Sequence, residues 1–132
     1  MSNVIYPKAK QEALKANLNM SGGTVKAALV DLGTYTYSAT HQYFSSVSSA
    51  VVGTPQALAN KTFVDGLFDA DDVTFPSVTG NTAEAIVIYI DTGAAGTSQL
   101  VAYIDTGVTN LPVTPNGGNI GTNWNALGIF QL

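Results

Sequence analysis

Two stretches of the chain, Ala85–Ile90 ("AIVIYI") and Gln99–Ile104 ("QLVAYI"), are apolar at nearly every position. In extended chain, Ile86, Ile88 and Ile90 fall on one face and Ala85, Val87 and Tyr89 on the other. Leu100, Ala102 and Ile104 oppose Val101 and Tyr103 in the same way. A strand with one solvated face alternates apolar with polar residues, so both strands are expected to be covered on both sides. The N-terminal helical region or a neighbouring subunit would supply the second cover. The link that begins at Thr92 is too short for the crossover that parallel pairing needs, so the two runs are expected to pair as an antiparallel hairpin.

Weaker patterns fill in the rest. Pro7 followed by "KAKQEALKANL" predicts a short helix, with proline in its first turn and Gly22-Gly23 beyond its end. "TVKAALVDL" predicts a strand over Thr24–Leu32. Ser38 is placed to cap one or two helical turns running through Phe44. Short strands are expected around Val51–Val52, Lys61–Val64, Leu67–Asp69 and Val73–Phe75, separated by Gly and Pro. "LPVTPNGG" is a turn segment, and "NIGTNWN" and "IFQL" are the last two strands. Many short strands with frequent turns predict a mainly β, single-domain antiparallel β-sandwich or barrel with a short N-terminal helix. Residues 1–23 form an arm and helix in this reading, and residues 24–132 the β core.

Both apolar runs end in Asp-Thr-Gly, at Asp91–Gly93 and Asp105–Gly107. This is the sequence around the catalytic aspartate of aspartic proteases, which need two carboxylates sharing one proton across ~3 Å. In an antiparallel hairpin Asp91 lies at the turn and Asp105 at the far end of the returning strand. At ~3.3 Å per residue the carboxylates are about 20 Å apart. The motifs are therefore expected to be turns, with the aspartate as cap and the glycine supplying positive φ.

Charge narrows the function classes. Only 11% of residues are charged and 45% are hydrophobic. The usual charged share is about 25%, so much of the exterior is expected to meet protein, as a dimer or trimer of this chain. Four of the five cations, Lys8, Lys10, Lys15 and Lys26, precede residue 27, and there is no arginine. From Thr62 onward there are seven acids and no cation. Nucleic-acid binding is not expected, because phosphate neutralisation needs clustered Lys or Arg. No stretch approaches the roughly 18 apolar residues of a membrane span, and the first residues contain no apolar run of signal-peptide length.

Candidate chemistry is sparse. There is no cysteine. His41 is the single histidine and stands in no nucleophile motif. Asp65, Asp69, Asp71 and Asp72 fall within eight residues, but without the spacing or closing glutamate of an EF-hand loop; a solvated acidic turn or partner-facing patch is expected, with no metal and no cofactor. Trp124 between Asn123 and Asn125 has the composition of a carbohydrate site, though a lone Trp in a final strand pair is expected in the core.

Eight segments, "IYPKAKQEAL", "TVKAALVDL", "YSATHQYF", "FDADDVTF", "EAIVIYIDTG", "LVAYIDT", "LPVTPNGG" and the late Trp124, run in an order that resembles a family of small virion proteins of tailed bacteriophages. The resemblance covers nearly the whole chain and includes no catalytic residue. It implies a non-enzymatic structural protein of the virion, assembled in the host cytoplasm. The favoured role is capsid decoration (cement), with the major capsid protein as partner. A tail, neck or fibre-associated adaptor is the alternative, and a host-surface carbohydrate-binding module a lesser one. For a cement protein the expected contacts are on the N-terminal segment Ser2–Lys15, with Ile5 and Tyr6 as apolar anchors and Lys8 and Lys10 setting orientation. Deletion of Ser2–Tyr6 is expected to weaken shell binding and to leave the isolated domain folded.

Overall fold

The computed structural model describes residues 3–132. Its centre is a five-stranded, wholly antiparallel sheet in the order β1-β8-β7-β2-β3. The strands are β1 (Val4–Ile5), β2 (Thr24–Val30), β3 (Val51–Ala57), β7 (Ala85–Asp91) and β8 (Gln99–Ile104). A three-stranded sheet, β10-β5-β4, joins β4 (Thr62–Val64), β5 (Leu67–Asp69) and β10 (Phe130–Gln131). A third pair consists of β6 (Val73–Phe75) and β9 (Ile120–Thr122). The fold is mainly β and antiparallel, sandwich-like, with one short helix, α1 (Pro7–Leu14), and no closed barrel.

The hairpin β7–β8 is covered on both faces by its own chain. Ile86, Ile88, Ala102 and Ile104 pack on one side with Phe68, Phe75, Val78 and Trp124. Ala85, Val87, Tyr89 and Tyr103 pack on the other with Tyr6, Ala9, Tyr35, Phe44 and Val47. The second cover is thus α1 together with the 31–50 segment, and no second subunit is required for it. Fully burying a large apolar side chain contributes ~1.5–3 kcal/mol, so these two layers hold the fold.

One register detail departs from simple alternation. Ile88 stands opposite Ala102 but Tyr89 opposite Leu100, which leaves Val101 as an extra residue in β8. This β-bulge moves Leu100 to the Tyr89 face, apart from Ala102 and Ile104. Val101 O then accepts the Tyr6 N–H at 2.9 Å, which fixes the entry into α1.

The N-terminal arm is part of the core. Val4 and Ile5 pair with Tyr103 and Ala102, and Tyr6 is fully buried. The segment read as the arm thus supplies an edge strand, β1, and a buried ring, Tyr6, to the β core. Helix α1 also stops at Leu14, short of the end of the "KAKQEALKANL" segment. Ala16 takes the left-handed conformation (φ 62), and the Ala16 and Asn17 amides return to Ala13 and Glu12, a Schellman ending built on alanine. The helical turns expected after Ser38 are absent: Ser38 Oγ accepts the Thr40 amide, and the chain instead makes 3₁₀ turns at Phe44–Ser46 and Ser48–Ala50. Strand β3 runs past Val52 to Ala57; as an edge strand it tolerates Pro55.

A hydrogen-bonded row lies under this second layer. The Tyr6 and Tyr35 hydroxyls are 2.8 Å apart, and the Tyr35 hydroxyl is 2.8 Å from His41 Nδ1. Donation from Tyr6 to Tyr35 and from Tyr35 to Nδ1 satisfies both protons. Burial, with the Tyr35 contact second, pushes the Tyr6 phenol far above its ordinary range. Tyr35→Phe strands the buried Tyr6 hydroxyl, and the expected cost is about 1–3 kcal/mol. Tyr6→Phe leaves Tyr35 its acceptor and costs less. Urea unfolding of the two variants checks the order; equal losses would show that the row does not run toward His41.

Candidate partner-binding surface

A strongly apolar depression lies between α1 and the β10-β5-β4 sheet. Its sheet wall starts with a tight turn. β4 and β5 are joined by Asp65-Gly66, with φ of 52 and 80, the two positive values that a type I′ hairpin demands. The turn sets Phe63 opposite Phe68, and Phe68 stands opposite Phe130. The three rings form a row with centroids 5.4 and 5.1 Å apart. Ile5, Ala9, Leu18, Met20 and Val101 form the facing wall of a groove of ≈ 200 Å³. Phe63 remains 46% exposed and Leu132 67%, so apolar surface continues onto the rim.

Charge at the rim is one-sided. Lys10 lines the groove; Lys8, two residues before it on α1, lies about 200° around the helix and does not line it. Neither has an ion-pair partner among the described residues. Lys15 is engaged by Glu12 at 3.3 Å. Of the four residues expected to meet a partner, Ile5 and Lys10 therefore line one groove, and Lys8 does not. Tyr6 does not take part: its ring is in the core, where Tyr37 packs against it at 5.2 Å. The aromatic wall had no signal in the sequence, because each phenylalanine sits alone in a strand of two or three residues and only the pairing aligns them.

The Asp-Thr-Gly motifs are turns. Asp91 Oδ1 accepts the Gly93 amide at 2.9 Å, and Gly93 has φ 93. Ile86 pairs with Ile104 and Ile90 with Gln99, so Asp105 lies at the far end of the hairpin from Asp91. The Asp105 and Thr106 amides donate to Asn3 Oδ1 at 2.8 and 3.0 Å, which ties this second turn to the N-terminal arm. Lys26 Nζ, 2.8 Å from Asp91 Oδ2, holds the Asp91 carboxyl below the usual carboxylate range, helped by the Gly93 amide. A depressed carboxyl stabilises the fold above its unfolded pKa, and that share is lost as pH falls through the folded value. Asp91→Asn is therefore expected to lower stability at neutral pH and to flatten the acid limb below about pH 4. A series of urea titrations across pH checks this; an acid limb unchanged by the substitution would contradict it.

The acidic cluster is dispersed among structural tasks. Asp65 is in the hairpin turn. Asp69 Oδ1 accepts the Ala70 amide. Asp71 Oδ2 accepts from Asn60, and its main-chain oxygen accepts the Trp124 indole N–H at 3.0 Å. Asp72 Oδ1 accepts the Trp124 amide at 2.9 Å. Trp124 is 8% exposed and belongs to the core. Beside it, Asp69, Asp71, Asp72, Asn123 and Asn125 line an open hollow of ≈ 810 Å³. Trp124 turns too little of its ring outward to act as a stacking platform there. Among the described residues no group of three or more His, Cys, Asp or Glu is arranged to hold a metal ion, and no helix is long and apolar enough to cross a membrane. Compared with known proteins, the chain matches no family model and no curated protein sequence.

Proposed function

We propose that this protein is a non-enzymatic structural component of a tailed-phage virion, a capsid decoration protein that docks on the major capsid protein and is carried in the particle. The observation that carries the reading is the apolar groove with its lysine-bearing rim. A rigid antiparallel scaffold presents Ile5, Met20, Phe63 and Phe130 around one hollow, with Lys10 unengaged at its rim. Such a surface fits an acidic patch that projects an apolar side chain. Exposed ion pairs contribute only ~0.2–1 kcal/mol each, so the lysine sets orientation and association rate, and the groove supplies the affinity. Binding of this kind stabilises the shell by mass action, since only the assembled shell offers the site.

The aspartates of the two Asp-Thr-Gly motifs support a non-catalytic reading, since they lie at opposite ends of one hairpin, too far apart to share a proton. Incubating the purified protein with emptied capsids tests the docking directly. Saturable binding is expected. Binding confined to isolated tails or necks would move the assignment to the adaptor role.

A further inference from the structure

Strand β4 is an open edge. It is the outermost strand of β10-β5-β4, and Thr62, Phe63 and Val64 are all exposed. In antiparallel pairing, residues alternate between exchanging hydrogen bonds with the partner strand and pointing their backbone groups away. The two-residue turn makes Val64 and Leu67 a hydrogen-bonded pair, so Phe63 does not bond to Phe68. The far side of β5 agrees: the Leu132 amide donates to Gly66 O and the Ile129 amide to Phe68 O, which shows Phe68 facing β10. The N–H and C=O of Phe63 therefore point outward at the free edge.

Natural proteins guard such edges with lysine, proline or a bulge. β4 is short, at three residues, but carries no lysine, proline or bulge of its own. The nearest lysine, Lys61, turns its ammonium to the carbonyls of Met20 and Gly23 at 2.8 and 2.9 Å. Phe63 is 46% exposed and Val64 65%.

The sequence of this edge, "TFV" over residues 62–64, matches itself when reversed. Set two copies antiparallel about a two-fold axis at Phe63. Phe63 then faces Phe63 of the second copy, and Thr62 faces Val64. An aromatic ring meets its own copy, and a β-branched residue meets a β-branched residue twice. From these observations we infer that β4 is a dimerisation edge, and that its occupant is β4 of a second copy of this chain. The two three-stranded sheets join into one six-stranded sheet, and the row Phe130–Phe68–Phe63 continues through the axis into its mate. The contact is isologous, closed by the two-fold, and leaves no edge of β4 free. It is independent of the phage reading, because it rests on this edge alone.

Analytical ultracentrifugation from micromolar to millimolar concentration is the first measurement. A monomer–dimer equilibrium is expected, and Val64→Lys, whose side chain is already in solvent, is expected to weaken it at least about tenfold while far-UV circular dichroism stays unchanged. The register has its own test, made clean by the absence of native cysteine. In the expected dimer residue 62 and residue 64 of the mate form a pair without mutual hydrogen bonds, with Cα atoms about 4.5 Å apart, inside the range a disulfide spans. Like positions lie on the diagonal, about 7–8 Å apart. A mixture of Thr62→Cys and Val64→Cys should therefore oxidise to a heterodimer, and neither variant alone should cross-link efficiently. A strict monomer at millimolar concentration, a trimer, a dimer indifferent to Val64→Lys, or single variants that cross-link as readily as the mixture would each overturn the proposal.

Discussion

Deleting residues 2–6 should abolish cooperative folding or lower stability by at least about 4 kcal/mol. Tyr6 is fully buried, and its ring contacts Tyr37 while its hydroxyl meets Tyr35. Truncating a buried aromatic side chain costs ~3–5 kcal/mol by itself. The deletion also removes β1, the edge strand that pairs with Tyr103 and Ala102, and the Asn3 side chain that receives the Asp105 and Thr106 amides. Domains of this kind hold ~5–15 kcal/mol in total, so the loss takes much of the margin. Lys8→Ala with Lys10→Ala should change stability by less than about 0.5 kcal/mol, as surface substitutions do. Urea unfolding followed by near-UV circular dichroism separates the two. A truncated protein that unfolds like the intact one would mean that the arm is dispensable, as the sequence alone had suggested.

Met20→Glu should reduce affinity for emptied capsids at least about a hundredfold with the fold intact. Met20 lines the groove and is only partly buried, so the free protein keeps the new carboxylate in contact with water. Docking would enclose that charge against Phe63, Phe68 and Phe130, and its desolvation penalty of several kcal/mol exceeds what an ion pair with Lys10 in the same groove returns. Leu14→Glu is the control: Leu14 is 91% exposed at the end of α1 and does not line the groove. Depletion of the protein from solution by capsids gives both affinities. Equal binding by Met20→Glu and the parent would remove the groove from the contact.

The parts of this fold that could be read from the sequence are those set by local pattern. The β7–β8 hairpin announced itself through two continuous apolar runs and a link too short for anything but a turn. The Asp-Thr-Gly turns followed from the same geometry. Asp65-Gly66 carries its turn type in its two residues. What could not be read depends on partners distant in the chain. Val4 and Ile5 form a strand only because Tyr103 and Ala102 stand beside them. Without that pairing, the arm looked mobile and Tyr6 looked like a surface anchor.

Two further departures come from single residues. The bulge at Val101 reverses the side of Leu100, and nothing in "QLVAYI" marks it. The end of α1 is set by Ala16 in a conformation that usually signals itself through glycine. The demand for cover on both faces of the hairpin was legible, but whether a subunit or the chain itself supplied it was not. Structure answered with the aromatic layer of Tyr6, Tyr35, Phe44 and Tyr103. The stacked Phe44–Tyr89 pair, with centroids 3.9 Å apart, sits at its centre, and burial pushes the Tyr89 phenol up to about 12. The candidate site was half legible for the same reason. Ile5 and Lys10 come from one contiguous segment, whereas the aromatic wall exists only after three separate strands have paired.

Reconstruction of the intact virion tests the central claim most directly. The account requires density for this fold on the outer surface of the shell, with the groove between α1 and the Phe63–Phe68–Phe130 row closed against the major capsid protein. Particles that carry the protein only at the tail or neck, or purified virions that lack it altogether, would contradict that claim.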